Sequence, residues 1–361
     1  MDRKKFLQTF LPTTLLGNAA WQSFASTHKN IKHPTPTPLP LQPGDTVGIT
    51  CPANATEYKH LIGLNAVKNW GLNVKIGNTV GKKWLRFAGT DEERLADFQQ
   101  MLDDDEVKAI FFAKGGYGTM RIIDKINWDK FLDKPKWLIG FSDVTTVHLH
   151  VQANFAIPTI HADMITGFTD NVKDPSANTI HDILFGNRIN YTVKGHAMNK
   201  EGTVTAKLVG GNLSLLQACT GSKSDIKTEG KILFIEDVGE YKYNIDRMMM
   251  NLKRSGKLDN LAGLMVGMFT ATKSNEEETY TASIEDIIMD KVANYNYPVC
   301  FNFPSGHVTY NFALKMGVEY YFNVTRQKVN LVEQINEQMP LPTMPPKFVE
   351  MPDSLKHIVE F

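Results

Sequence analysis

The sequence predicts an α/β protein built on parallel sheet, on three observations. Short, almost wholly apolar runs such as Val107–Ala113 (VKAIFFA) and Lys231–Ile235 (KILFI) alternate with segments of helical periodicity, the pattern of strands covered on both faces. The 361 residues exceed one ordinary domain and suit two, at about 100–200 residues each. Apolar residues make up 42% and charged residues 22%, a globular balance that excludes disorder over most of the length and a collagen-like scaffold.

Taken in order, Thr46–Cys51 (TVGITC) is β-prone and Thr56–Trp70 carries helical spacing at Leu61, Leu64 and Val67. Leu72–Ile76 alternates like a strand. Thr90-x-x-Glu93 is a capping-box pattern ahead of Leu95, Phe98 and Leu102 on one helical face. Val107–Ala113 is a strand ending at Gly115-Gly116, residues 119–132 read as a helix, Trp137–Phe141 as a strand and Val144–Ala153 as a helix. A second unit begins near residue 200. There Lys207–Val209 leads to Gly210-Gly211-Asn212, then helix Leu213–Cys219, strand Lys231–Ile235, helix Ile245–Arg254 and strand Leu261–Val266, with Asn330–Val332 closing the sheet.

Lys+Arg and Asp+Glu both count 39, so no global field gathers nucleic acid. No apolar run reaches the roughly 18–20 residues of a membrane span. Cys51, Cys219 and Cys300 lie far apart and form no CxxC, which allows one disulfide but no framework and no zinc ribbon. Residues 2–5 (DRKK), an apolar stretch to about Trp21 and Ser23-Phe24-Ala25 read as an export signal. The expected organisation is a signal peptide over 1–25, a proline-rich linker over 26–43, an N-terminal α/β domain over 44–165, a connecting segment over 166–200, a C-terminal domain over 201–335 and a proline-rich tail over 336–361. The expected location is the periplasm, with the cytoplasm as the alternative, and no stable membrane anchor is expected.

Four places could carry chemistry. Gly140-Phe141-Ser142-Asp143 stands at a strand-to-helix junction, where a serine is either a nucleophile beside free backbone N–H groups or simply a helix N-cap. Lys114-Gly115-Gly116-Tyr117-Gly118 could lend N–H groups to an oxyanion or be a plain βα turn. Glu236-Asp237 follows the strand KILFI, where acids orient histidines, bind cations or cap the helix Ile245–Arg254. His307, in Pro304-Ser305-Gly306-His307, is a loop-borne base or a solvated surface residue. His148 and His150, two apart on a helix, face different sides; with no HExxH present, neither a catalytic metal nor a cofactor is expected. Together the four places supply, at element ends, a glycine-rich loop, a hydroxyl, an acid and a base, the types a hydrolytic triad needs.

With these blocks in view, the sequence resembles the LD-carboxypeptidases of serine peptidase type S66, a group that includes muramoyl-tetrapeptide carboxypeptidases and microcin C immunity peptidases. The resemblance runs through PGDTVGITCPA (43–53), FAGTDEERLADF (87–98), FFAKGGYGTMRIID (111–124), KWLIGFSDVTTVHLH (136–150), TIHADM (159–164), LVGGNLSLLQACTGS (208–222), ILFIEDVGEYKYNIDRMMMNLKRSG (232–256), LAGLMVGMFT (261–270) and PSGHVTYNFALKMG (304–317). It implies a Rossmann- or flavodoxin-like N-terminal domain and a C-terminal α/β domain, with the site between them. It further implies Ser142 as nucleophile, Glu236 as triad acid, His307 as base, and the N–H groups of Gly116 and Asp143 as oxyanion donors. The family loop reads RGGYG; Lys114 here keeps the charge and loses the planar fork.

The implied reaction is metal-independent hydrolysis releasing terminal D-alanine from a muropeptide. Lys114, Arg121 or Arg247 would bind the substrate's terminal carboxylate. A homodimer is compatible with the resemblance. Two alternatives stand beside this: a detoxifying amidase on peptidyl-nucleotides, with Trp84 as nucleobase platform, and a non-catalytic wall-peptide binding protein in which Ser142 is only a cap.

Overall fold

The computed structural model describes residues 37–169, 174–273 and 281–334. The signal peptide expected over 1–25, the linker up to residue 36 and the tail over 336–361 lie outside the described residues.

Two sheets organise the chain. The first has the order β11-β5-β4-β3-β1-β2. Strands β1 (Thr46–Thr50), β2 (Asn73–Ile76), β3 (Val107–Phe112), β4 (Trp137–Gly140) and β5 (Thr159–His161) are all parallel. The antiparallel edge, β11 (Leu314–Met316), arrives from far down the chain. The second sheet has the order β10-β9-β8-β7-β12-β13-β6. Its strands β7 (Gly202–Asn212), β8 (Ile232–Val238), β9 (Gly263–Thr270) and β10 (Val299–Cys300) are parallel. Strands β12 (Glu319–Val324), β13 (Lys328–Glu333) and β6 (Asn190–Lys194) extend it antiparallel. The α/β class with a parallel N-terminal sheet is therefore as the apolar runs predicted. Asn330–Val332 does fall in a strand, β13, and Asn190–Lys194, within the connecting segment expected over 166–200, pairs with it.

The helices are α1 (Leu64–Asn69), α2 (Asp91–Asp103), α3 (Asp129–Asp133), α4 (Thr145–Asn154), α5 (Pro175–Leu184), α6 (Leu213–Cys219), α7 (Lys242–Arg254) and α8 (Ile284–Val292). The capping box before α2 forms as read: Thr90 Oγ1 accepts from Glu93 N at 3.3 Å while Glu93 Oε2 accepts from Thr90 N at 2.9 Å. Phe98, Met101 and Leu102 on its inner face are buried with Phe112 and Trp128, each such side chain worth about 1.5–3 kcal/mol of burial.

Two expected helices are shorter than their periodicity implied. In 56–70 only Leu64–Asn69 is α-helical, after a single 3-10 turn at Tyr58–His60. In 119–132 two 3-10 turns precede α3, because tertiary partners claim the backbone. Thr119 N donates to Asp143 Oδ2 at 2.9 Å, and Asn127 N donates to Gln99 Oε1 at 2.9 Å.

The two sheets meet where α4 crosses the end of β7. Asn212 N donates to Thr145 Oγ1 at 3.0 Å. A side chain at Gly211 would place its Cβ 2.7 Å from the same hydroxyl, and its φ is 141°. Glycine is therefore what lets β7 approach the helix that follows Ser142.

Candidate active site

Every sequence-predicted site residue lies at or just beyond the carboxyl end of a parallel strand, where open α/β sheets bind ligands. Gly116 follows β3, Ser142 follows β4, Glu236 lies in the last three residues of β8 and His307 lies beyond β10.

Ser142 leaves β4 with φ 60°, a left-handed conformation that costs a non-glycine residue roughly 1–2 kcal/mol. A helix N-cap has an extended backbone and accepts from the first turn. Ser142 does neither: it opens the 3-10 turn Ser142–Val144, and α4 begins after Val144 without a side-chain cap. The turn sets the hydroxyl against the glycine loop, where a Cβ on Gly115 would lie 3.1 Å from Ser142 Oγ. Strained strand-to-helix turns of this kind expose a serine above a sheet.

The N–H groups of Gly116 and Asp143 donate no hydrogen bond within the described residues. Gly116 has φ 102°, and any side chain there would collide with the Asn54 carboxamide. The Asp143 carboxylate is buried beneath the turn, with Oδ2 on Thr119 N and Oδ1 without a partner. Burial pushes its pKa up.

His307 is partly buried, not a solvated surface residue. Its Nδ1 lies 2.7 Å from Oε2 of Glu236, which is fully buried. The imidazole packs on Phe141, ring centroids 4.6 Å apart, so the residue before the serine is the floor under the histidine. A β-bulge makes the pairing. Between the register pairs Ile235↔Val266 and Asp237↔Phe269, β8 contributes only Glu236 and β9 contributes two residues. One of them, Met268, donates its N–H to Ser305 O at 3.0 Å instead, which draws the His307 turn over Glu236; bulges commonly re-aim side chains beside active sites. Burial disfavours the imidazolium, yet the hydrogen bond and charge of Glu236, with Asp237 and Asp163, outweigh it and raise the His307 pKa.

Glu236 and Asp237 do not cap the helix over Ile245–Arg254, whose N-cap Tyr241 makes no side-chain cap bond. Asp237 Oδ2 instead accepts from Ser214 N at 2.9 Å and Ser214 Oγ at 2.6 Å, in the first turn of α6. Asn212 Nδ2 spans the two acids, 3.3 Å from Glu236 Oε1 and 3.0 Å from Asp237 Oδ1.

Of the cations considered for a substrate carboxylate, Arg121 is bound to Asp91 at 2.9 Å and lies over the Phe87 ring. Arg247, on the exposed face of α7, bonds to Asn244. Lys114 is exposed in the glycine loop itself, one residue from Gly115. The two helical histidines face apart, as their spacing predicted: His148 Nε2 is 2.8 Å from Gly140 O, and His150 Nδ1 is 3.0 Å from Ser224 Oγ. All three cysteines are buried free thiols, and burial raises the pKa of Cys51 and Cys219 to about 12.

Three supporting residues, Arg94, Asn311 and Asp163, have no local sequence pattern that marks them, although all lie inside the stretches that carry the family resemblance. Arg94 is fully buried and donates to Gly118 O at 2.9 Å, to Pro52 O and to Asp91, pinning the glycine loop to the Pro52 turn. Asn311, also fully buried, accepts from Gly306 N at 2.9 Å and donates to Asp163 Oδ1 at 3.1 Å. Asp163, held up to about 7 by burial and then by the charge of Asp174, stands behind the His307 turn.

Known proteins share this arrangement of chain. Residues 47–162 match the LD-carboxypeptidase N-terminal domain, and residues 205–322 match the LD-carboxypeptidase C-terminal domain. The probable murein peptide carboxypeptidase of Bacillus subtilis (strain 168) is 35% identical over 301 residues, covering 82% of this chain and 94% of its own. The crystal structure of muramoyltetrapeptide carboxypeptidase from Oxalobacter formigenes superposes with a TM-score of 0.73 at 22% identity, over 80% of this chain and 98% of that one. The microcin C7 self immunity protein MccF, in its wild-type apo state, does so with a TM-score of 0.73 at 19% identity, over 82% and 98%. These two likenesses bear on the fold, which is the two-domain α/β architecture expected.

Proposed function

Because the chain belongs to the LD-carboxypeptidase family, as a serine-type LD-carboxypeptidase, we propose that Ser142, His307 and Glu236 are its triad and that peptidoglycan tetrapeptides are its substrate. His307 Nε2 takes the Ser142 proton as Oγ attacks the carbonyl between the L-centre of the diamino acid and terminal D-alanine. The tetrahedral oxyanion is met by the N–H groups of Gly116 and Asp143. Collapse breaks the peptide bond, His307 returns the proton to the departing amine, and D-alanine leaves an acyl-enzyme. Water, deprotonated by the same imidazole, attacks the ester and frees Ser142. Glu236 fixes the tautomer with the proton on Nδ1 and stabilises the imidazolium. Of Lys114, Arg121 and Arg247, we assign the terminal carboxylate to Lys114, which is exposed beside the glycine loop.

The observation that carries these roles is the 2.7 Å contact of His307 Nδ1 with fully buried Glu236, beside a serine at φ 60°. Among the described residues the only hydrogen bond of the His307 ring is the one from Nδ1 to Glu236, and none joins its Nε2 to Ser142 Oγ. The proposed mechanism requires that bond to form in the substrate complex, where catalytic hydroxyl–base hydrogen bonds commonly tighten.

No helix among the described residues is long and apolar enough to cross a membrane. The sequence of residues 1–25 favours export to the periplasm, where wall peptides are trimmed, and a homodimer is the oligomer we favour. The test of the reaction is free D-alanine from a tetrapeptide, with EDTA leaving the rate unchanged. Ser142→Ala and His307→Ala should each lose several orders of magnitude, as triad members do. Turnover that survives Ser142→Ala would exclude the mechanism.

A further inference from the structure

Beyond the glycine loop the chain exposes an aromatic shelf. Trp84 is 43% exposed and Tyr117 41%. Phe87 lies between them, stacked on Trp84 at 6.0 Å and tilted to Tyr117 at 5.7 Å. The turn that presents Trp84 is tight, with Trp84 N on Phe87 O and Phe87 N on Trp84 O, both at 2.9 Å. At its tip Leu85 has φ 54° and is 71% exposed. A strained backbone holding apolar side chains in water is a feature that packing does not explain. The turn is also tied to the oxyanion loop: Arg86 Nε donates to Asn54 Oδ1 at 3.1 Å, Tyr117 N lies 3.4 Å from the same oxygen, and Asn54 N donates to Gly115 O at 3.2 Å.

We propose that this shelf binds the amino-sugar end of the substrate, with one pyranose face on Trp84 and its polar edge toward Arg86 and Asn54. The inference rests on the carboxypeptidase reading and deepens it. On the leaving side the substrate ends one residue past the scissile bond, so only the acyl side is long enough to reach Trp84. Three residues of a tetrapeptide separate the scissile carbonyl from the sugar, about 10–11 Å when extended. The shelf begins at Tyr117, two residues from Gly115, where a side-chain Cβ would lie 3.1 Å from Ser142 Oγ, and continues for two ring-to-ring steps. A saturated ring with an apolar face and hydroxyl edges fits an exposed indole flanked by a guanidinium and a carboxamide.

The test uses the full chain carrying Ser142→Ala, which separates binding from turnover. Affinities are measured by calorimetry for N-acetylmuramoyl-tetrapeptide and for the same tetrapeptide without its sugar. The sugar-bearing ligand should bind roughly tenfold tighter. Trp84→Ala in that background should abolish the difference, and Trp84→Phe should retain part of it, which guards against a variant that misfolds. Equal affinities for the two peptides, or a difference that Trp84→Ala leaves intact, would overturn the proposal. So would a nucleoside-capped peptide that outcompetes the sugar-bearing one, since the shelf would then be a nucleobase platform. D-Alanine release by the wild-type chain reads the reaction separately, so loss of the reaction and loss of the shelf give different results.

Discussion

Replacing Glu236 with glutamine removes one charge from the centre of the proposed triad and leaves its volume in place. The carboxylate is fully buried and 2.7 Å from His307 Nδ1. For charge centres about 4 Å apart at an effective dielectric of about 20, the lost stabilisation of the imidazolium is about 4 kcal/mol. If that cation forms in the transition state, kcat should fall about 10³-fold. The amide also presents an N–H to Nδ1, which favours the tautomer with its proton on Nε2, where it blocks uptake from Ser142. The pH profile carries the sharper sign. In the parent protein Glu236 is the chief influence raising the imidazole pKa, against burial, which lowers it. With the carboxylate gone burial prevails, so the pKa drops and the acid limb of kcat/KM moves to lower pH even as the plateau collapses. D-Alanine release from a tetrapeptide, followed from pH 4 to 9, reads both effects. A rate loss below tenfold, or an acid limb that stays in place or moves up, would show that Glu236 does not act on His307 in the reaction.

Gly116→Ala must displace the Asn54 carboxamide and strain a backbone at φ 102°. The proposed oxyanion N–H moves with it, so kcat should fall roughly 10²–10³-fold with KM little changed, measured on the same tetrapeptide. Asp163→Asn tests the support behind His307. Because burial raises the Asp163 pKa to about 7, the native state holds this proton more tightly than the unfolded chain. Its contribution is therefore full below about pH 4 and is lost as pH rises through about 7. The asparagine keeps an acceptor for Asn311 and removes the charge, so the variant should gain on the order of 2 kcal/mol over the parent at pH 8 and little at pH 4. Urea unfolding at the two pH values measures it, and an equal difference at both would contradict the assignment.

What could be read from the sequence follows the range of the forces involved. The parallel strands were legible because burial on both faces leaves almost wholly apolar runs, as in Val107–Phe112 and in Ile232–Ile235 of β8. The α2 capping box was legible because its four residues satisfy each other locally. By contrast, β11 is three residues, Leu314–Met316, inside a block that reads as loop, and only its partner β5 makes it a strand. Arg94 reads as an exposed helix arginine until the carbonyls of Pro52 and Gly118 are brought to it. For Ser142, Glu236 and His307, local patterns left cap, cap and surface residue as open alternatives. The resemblance chose among them in sequence, and three long-range facts bear on them in structure: a φ of 60°, a bulge in β9 opposite Glu236 of β8, and a ring packed on Phe141.

Those three facts also explain why the proposed chemistry needs two sheets. The first sheet supplies the hydroxyl and both free N–H groups from neighbouring strand ends, β3 and β4, since those must face one carbonyl from opposite sides. A base on the same strands would have to share that crowded edge. The second sheet brings His307 and Glu236 in from the side as a pair already bonded to each other, so the imidazole arrives with its tautomer fixed. The reaction then depends on the seam between sheets, where Asn212 touches Thr145 through its N–H and Glu236 through its carboxamide. One residue thus ties the helix after the nucleophile to the acid behind the base. A change at that seam, such as bulk at Gly211, should lower kcat without touching any group that meets the substrate.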